Sequence, residues 1–257
     1  MRKAVMVKNL TKVFYKSGQE IPVLRNINLS VNEGEFVSII GPSGCGKSTL
    51  LNIISGLLKP TSGEVFVSGE RVNGPCTKVG YMFQSDLLLP WRTAIANVEL
   101  GLEIRGVSKE ERRKMAEAVI KSMGLSGFEH FYPHELSGGM RQRIALARTL
   151  VLNPTVLLMD EPFGALDAQT RTLLGNELLR LWRKYNKTII FVTHDLSEAI
   201  SLAQRVIVLS KRPATVKAEY RVDLPESRDV TKIVKEDSFL KLYSTIWRDL
   251  TEEIGGG

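Results

Sequence analysis

The run Gly41-Pro42-Ser43-Gly44-Cys45-Gly46-Lys47-Ser48 has the spacing G-x-x-x-x-G-K-[ST], which suits the cradling of a phosphate. Glycines at 41, 44 and 46 let the backbone curl so that successive N–H groups face one oxyanion. A helix beginning at Lys47 adds about half a positive charge at its first turn. Lys47 would reach the β- and γ-phosphates of a nucleotide, and the Ser48 hydroxyl would bind Mg²⁺. The loop amides through Thr49 complete the cradle. The plain alternative, a glycine-rich turn between a strand and a helix, requires neither the lysine nor the serine.

Two acids form the second element. The apolar run Val156–Met159 ends in Asp160-Glu161. Two acids at a strand end are ordinarily just the exit into solvent. Beside a phosphate loop they take on roles, Asp160 in the outer shell of the metal and Glu161 as the general base for an attacking water. The third element is Leu136-Ser137-Gly138-Gly139-Met140-Arg141-Gln142-Arg143. Ser137 is a good N-cap for the striped helix carrying Ile144, Leu146, Ala147 and Leu150. Two glycines directly after it are more than a helix start needs, since each costs up to about 1 kcal/mol inside a helix. Bare backbone at a helix N-terminus is a further anion site.

These groups need a frame to hold them. Glu35–Ile40, Val156–Met159, Thr188–Val192 and Val206–Leu209 are short, nearly continuous apolar runs, the pattern of strands buried on both faces of a parallel sheet. Helical spacing lies between them. Lys47–Ser55 carries Leu50, Leu51 and Ile54, Asp167 can cap a helix with Leu173, Leu174, Leu178, Leu181 and Trp182, and Asp195 can cap another with Glu198 in capping-box position. The spacing predicts an α/β fold with a three-layer core. Ala4–Leu10, Ile27–Val31 and Glu64–Ser68 alternate polar and apolar residues and predict a separate antiparallel sheet.

From about 85 to 152 no strand is evident. Ser108-Lys109-Glu110-Glu111 is a capping box followed by Met115, Val119, Ile120 and Met123, so this stretch reads as a helical lobe inserted into the core. The core domain is expected over 1–210. Residues 211–257 are expected to form a helical tail whose last helix packs through Phe239, Leu242, Tyr243, Ile246 and Leu250.

Composition narrows the classes. The chain has 257 residues, 43% hydrophobic and 25% charged, which excludes a mostly disordered or collagen-like chain. No run approaches the ~18 apolar residues of a membrane span, and no basic-then-apolar N-terminal signal is present. Cys45 and Cys76 point to a reducing compartment and against a disulfide scaffold. His130, His134 and His194 are too scattered for a zinc framework. The net charge of +7 suits polyanionic partners such as nucleotides, nucleic acid or anionic lipid heads, or serves solubility alone. A cytoplasmic protein is expected.

The three elements together, over roughly Val5 to Ser210, resemble the ATP-binding cassette family, the ATP-hydrolysing subunits of ABC transporters. The resemblance implies a phosphate-loop NTPase core with an antiparallel β subdomain and an inserted α-helical subdomain. It implies ATP and Mg²⁺ as ligands and a homodimer formed head to tail on ATP binding. In that arrangement Ser137, Gly138 and Gly139 bind the γ-phosphate of ATP held by the opposite subunit. Met140 departs from the glutamine commonest there, which leaves the binding groups intact.

Other family marks follow in order. Phe14, with Tyr15 as the alternative, falls where an aromatic stacks on adenine. Gln84 looks like the glutamine that touches Mg²⁺ and the attacking water. Ala165-Leu166-Asp167 resembles the loop that crosses the dimer interface, and His194 the histidine that contacts the γ-phosphate and orients the base. Leu87-Leu88-Leu89-Pro90-Trp91, Tyr132-Pro133-His134-Glu135 and Glu161–Asp167 are most similar to the nitrate, sulfonate and taurine importers. The resemblance implies separate transmembrane permease subunits, through them a solute-binding protein, and a position on the inner face of the membrane. Leu87–Trp91 is then either lobe core or a groove for a permease helix. Nucleic acid is not an expected partner, because a DNA-repair cassette needs a long coiled coil between Gln84 and Ser137 and no sustained heptads lie there. The other readings are an exporter with a separate membrane chain and a phosphate-loop kinase or GTPase, which would not need Ser137-Gly138-Gly139.

Overall fold

The computed structural model describes residues 2–164 and 166–255. Its frame is a six-stranded sheet made of β3 (Phe36–Ile40), β6 (Val79–Met82), β7 (Val156–Asp160), β8 (Thr188–Val192), β9 (Arg205–Leu209) and β10 (Val216–Arg221), in the spatial order β10-β9-β3-β8-β7-β6. Five of these run parallel: Val37 sits opposite both Ile190 and Arg205, Leu158 opposite Ile190, and Tyr81 opposite Leu158. Every residue of β3, β7 and β8 is buried. Burial on both faces is why these runs read as unbroken apolar stretches rather than alternating ones.

One face of this sheet packs on α1 (Lys47–Ile54), through Leu50, Leu51, Ile53 and Ile54, and on a second sheet. That sheet is antiparallel, built from β1 (Lys3–Lys16), β2 (Gln19–Asn32), β4 (Ser62–Val67) and β5 (Glu70–Arg71) in the order β2-β1-β4-β5. Both long strands extend well past the expected Ala4–Leu10 and Ile27–Val31. Their pairing shifts register at several points, including the step from Leu10 to Lys12, and Asn9 and Asn26 adopt φ of 48°. These bulges break the alternation by which a strand is read.

The opposite face packs on α4 (Gly138–Leu150), α5 (Ala168–Tyr185) and α6 (Leu196–Leu202). Between the adjacent strands β6 and β7 the chain carries α2 (Ala94–Ile104), α3 (Lys109–Ser122), a 3-10 turn (Pro133–Glu135) and α4, with no strand among the described residues. The helix caps lie where the sequence puts them. Ser108, Ser137, Asp167 and Asp195 each accept from the N–H three residues on, at 3.3, 3.3, 2.9 and 3.1 Å. Two stripe residues differ from expectation, Leu173 and Met115 being exposed. Each precedes the true stripe by one residue, about 100° around the helix.

The tail is not purely helical, as it was expected to be. β10 pairs antiparallel with β9 and adds an edge strand to the core sheet. Its signal is a period-two run, Val216, Ala218 and Tyr220 against Lys217, Glu219 and Arg221. Two further helices follow, α7 (Val230–Ile233) and α8 (Asp237–Gly255), with Phe239, Ile246 and Leu250 of α8 buried.

Trp182 of α5 ties the helical face to the strand that feeds the phosphate loop. Its Nε1 donates to the Gly34 carbonyl at 2.8 Å, and its ring meets Phe36 edge-on at 5.9 Å. Trp182→Ala is expected to cost about 3–5 kcal/mol in a denaturant titration.

Candidate active site

The parallel strands all end on one edge of the sheet, and the residues expected to do chemistry sit just past those ends. β3 runs into the phosphate loop, β6 into Gln84, β7 into Asp160-Glu161 and β8 into His194. Open α/β sheets bind ligands at this edge.

The loop fits a phosphate cradle. A Cβ on Gly41 would lie 2.8 Å from the Leu209 carbonyl, so the loop can start there only on glycine. Gly46 has φ of 122°, and a Cβ would lie 2.9 Å from both Val23 Cγ1 and Leu24 Cδ2. Gly44 also has positive φ, 70°. Lys47 is buried, and its Nζ donates back to the Gly41 and Pro42 carbonyls at 2.9 and 3.1 Å. The Cys45 thiol packs inward under Gly41, with burial pushing its pKa up and the Lys47 charge opposing. The Cys45 N–H donates to the Pro42 carbonyl at 3.2 Å.

Across from the loop, Ser48 Oγ donates to Asp160 Oδ1 at 3.1 Å, and the Tyr81 hydroxyl to Asp160 Oδ2 at 3.4 Å. Burial pushes the Asp160 carboxyl up, the Ser48 hydrogen bond pulls it down, and the Glu161 charge pushes it up again. A hydroxyl and a carboxylate side by side are the hard oxygen donors that Mg²⁺ takes, with water and phosphate oxygens filling the remaining positions.

Glu161 is the meeting point of the other groups. Its Oε2 accepts from Gln84 Nε2 at 3.2 Å and lies 3.4 Å from His194 Nδ1. The chain turns sharply after β7 to achieve this. Glu161 has φ of 46°, a left-handed conformation costing about 1–2 kcal/mol for a residue with a side chain. Its N–H is held by the Val192 carbonyl at 2.9 Å. Glu161 is partly buried and His194 open, so a water has access to the carboxylate.

Ser137, Gly138 and Gly139 do not join this cluster. The Ser137 hydroxyl caps α4, and Gly139 abuts α5, where a Cβ would meet Thr170 Cγ2 at 2.7 Å. A Cβ on Gly138 would lie 3.7 Å from Leu166 Cδ2, so the loop before α5 also lies against the signature corner of the same chain; Ala165 itself lies outside the described residues. Phe14 and Tyr15 are both exposed. Lys12 Nζ lies 4.8 Å over the Phe14 ring, and the Tyr15 hydroxyl donates to Glu20. Of the stretch after Gln84, Leu88 is buried, whereas Leu87 and Trp91 are exposed.

Several participants have no motif of their own. Tyr81 reaches Asp160 only because β6 and β7 are neighbours. Gln142 donates to the Gln84 carbonyl at 3.4 Å, and Arg148 to the Leu87 and Asp86 carbonyls, both at 2.6 Å, so α4 grips the segment carrying Gln84. Arg171 pairs with Asp195 at 3.2 Å, linking the start of α5 to the start of α6. Glu198 lies beneath them, and burial pushes its carboxyl up to about 7 against a hydrogen bond with Thr193. Only the Asp195–Glu198 capping-box spacing pointed to it.

The site is that of a phosphate-loop ATPase, and comparison with known proteins narrows the class. Residues 24–164 match the ABC transporter family. A nitrate import ATP-binding protein of Synechocystis is 45% identical over 245 residues, covering 93% of this chain and 92% of that protein. A taurine import ATP-binding protein of Roseobacter denitrificans is 41% identical over 259 residues, covering 98% and 96%. Among solved structures, a dimeric ATP-binding cassette in a post-hydrolysis state with ADP and Pi is 41% identical, with a TM-score of 0.77 over 86% of this chain and all of that one. The chain belongs to the ABC transporter family, as an ATP-binding subunit that hydrolyses ATP.

Glu198 offers a check on the electrostatics. Its folded pKa, about 7, stands above its ordinary 4.5, so the chain loses stability as pH rises between those values. Glu198→Gln is expected to remove that slope, matching wild type near pH 4.5 and gaining up to about 3 kcal/mol on it by pH 8. Denaturant melts across this range measure the difference.

Proposed function

We propose that this protein energises a membrane importer of small oxyanionic or zwitterionic solutes by closing as a head-to-tail dimer around ATP and Mg²⁺. The observation that carries the chemistry is the convergence of Gln84 and His194 on one oxygen of Glu161, beside the Ser48–Asp160 pair. ATP lies with its phosphates in the cradle of residues 41–49, its β- and γ-oxygens neutralised by Lys47. Ser48 and Gln84 would hold Mg²⁺, with Asp160 in its outer shell, and the ion would supply positive charge to offset that on the phosphate oxygens. Glu161 takes a proton from the attacking water, the γ-phosphoryl group passes to that water, and ADP leaves as the product. His194 holds the carboxylate in place, and Gln84 orients the water.

Dimer closure supplies the missing donors. Ser137 is exposed, its hydroxyl accepting from the Met140 N–H at the start of α4, which leaves it open to another molecule's phosphate. The cassette of similar structure solved as a dimer with ADP and Pi supports this arrangement. Phe14 stacks on adenine, the β1–β2 hairpin lying against the loop through Val23 and Leu24. The nitrate and taurine import proteins are the basis for the solute class. Among the described residues no helix is long and apolar enough to cross a membrane. The similarity to the nitrate and taurine import ATP-binding proteins supports delivery of the work to separate permease subunits at the inner face of the membrane. The exposed Trp91 and the exposed Leu87, whose carbonyl accepts from Arg148, supply an apolar contact close to Gln84.

Two variants test the reading. Glu161→Gln should keep ATP affinity, cut turnover by about 10²–10⁴ and accumulate as an ATP-bound dimer on gel filtration. Ser137→Arg should bind ATP as a monomer and fail to form that dimer. Normal turnover in the first variant, or cooperative hydrolysis in the second, would contradict the shared site.

A further inference from the structure

Arg212 reaches the phosphate cradle from outside every motif described above. It lies in the connection between β9 and β10, and its Nε donates to the carbonyl of Gly44 in the middle of the loop. The connection is held on three sides. The Leu209 carbonyl at the end of β9 stands against Gly41. Ala214 exchanges backbone hydrogen bonds with β2, donating to Val23 at 2.8 Å and accepting from Arg25 at 2.9 Å. The Lys211 N–H donates to the Glu253 carboxylate near the end of α8, at 2.9 Å.

We propose that Arg212 is a positioning residue for the phosphate cradle, holding the Gly44 carbonyl outward and tying nucleotide affinity to the docking of the C-terminal helix α8. This rests on residues 41–49 being the phosphate cradle. In a trans peptide the C=O and the following N–H point in opposite directions. The Cys45 N–H of the same peptide donates to the Pro42 carbonyl at 3.2 Å, so this bond and the guanidinium on the Gly44 oxygen hold the peptide plane from opposite sides. The guanidinium also keeps a carbonyl oxygen from turning toward incoming phosphate oxygens, which that oxygen would repel. Glycine at φ of 70° offers little intrinsic resistance to such a turn, so the restraint comes from the Cys45–Pro42 hydrogen bond on one side of the peptide and from Arg212 on the other. A hydrogen bond from a charged donor is about twice as strong as a neutral one. The guanidinium charge is close enough to oppose the effect of burial on the Cys45 thiol, alongside Lys47.

The other end of the linkage is the last turns of α8. Lys217 of β10 meets Glu252 at 3.1 Å, Glu253 at 3.2 Å and the Asp249 carbonyl at 2.9 Å. Tyr220 donates to the Asp249 carboxylate. These contacts, with Glu253 on the Lys211 N–H, anchor α8 one residue away from Arg212. Displacing the end of α8 would loosen the connection and then the cradle.

The experiment compares wild type with Arg212→Ala, Arg212→Lys and Glu253→Gln, with Lys47→Ala as the control. It reads the KM and kcat for ATP, the Kd for ADP and the melting temperature without nucleotide. Arg212→Ala should raise KM and the ADP Kd about tenfold. Its kcat should change by less than about twofold, since ground state and transition state lose the same contact. Arg212→Lys should recover most of the affinity, and Glu253→Gln should show a smaller rise in the same direction. Unchanged affinity in Arg212→Ala, with binding lost in Lys47→Ala, overturns the proposal alone. Unchanged binding in both overturns the cradle reading beneath it. If the nucleotide-free melting temperature of Arg212→Ala falls and Arg212→Lys does not recover affinity, the side chain merely holds the connection together and the proposal fails.

Discussion

The parallel register of β3, β8, β7 and β6 is the constraint on which the site depends. Parallel neighbours lie about 4.8 Å apart and end on the same edge. Four segments remote in sequence therefore leave the sheet within a side chain's length of one another. The Ser48–Asp160 hydrogen bond spans 112 residues of sequence, and the Gln84–Glu161 bond spans 77. Strands buried on both faces take few polar side chains along their length, Ser38 in β3 being an exception. The chemistry is thus concentrated at their ends.

That concentration sets carboxyl groups in poorly solvated surroundings. Asp160 and Glu198 are both pushed up by burial, and each lies near a second acid whose charge adds to the effect. Hydrogen bonds from Ser48 and Thr193 pull the other way. Such opposed forces make the region responsive to charge brought in by a ligand, since a buried carboxyl is far more sensitive to a nearby cation than an exposed one. Glu161 adds backbone strain at the same place.

The two lobes share rigid parts. α4 starts at the Ser137 corner and, through Gln142, Arg148 and Arg141, holds the segment from Gln84 to Leu87. Gly139 lets the start of α4 touch α5 at Thr170. The start of α5 is paired in turn through Arg171 with Asp195, next to His194. The lobe is thereby linked by direct contacts to the glutamine, to the start of α5 and to the histidine segment. Apart from the Gly139–Thr170 contact, these links are hydrogen bonds and ion pairs from Gln142, Arg148, Arg141 and Arg171 to carbonyls and carboxylates, which hold direction better than apolar contacts do.

The sequence by itself determined the local chemistry. Glycine spacing, a lysine and serine at a helix start, paired acids after an apolar run and the capping residues are short-range signals, and each states a backbone or electrostatic need within about ten residues. The central strands were legible for the same reason, as continuous apolar runs. Tertiary structure alone decided which strand lies beside which, and hence that Tyr81 meets Asp160, that Glu161 is shared by Gln84 and His194, and that Arg212 stands on Gly44. It also decided that Val216–Arg221 closes the edge of the core sheet, and that the bulged β1 and β2 run past their alternating portions. Those outcomes depend on pairing between segments tens to hundreds of residues apart, and side-chain periodicity within one segment contains no term for its neighbour.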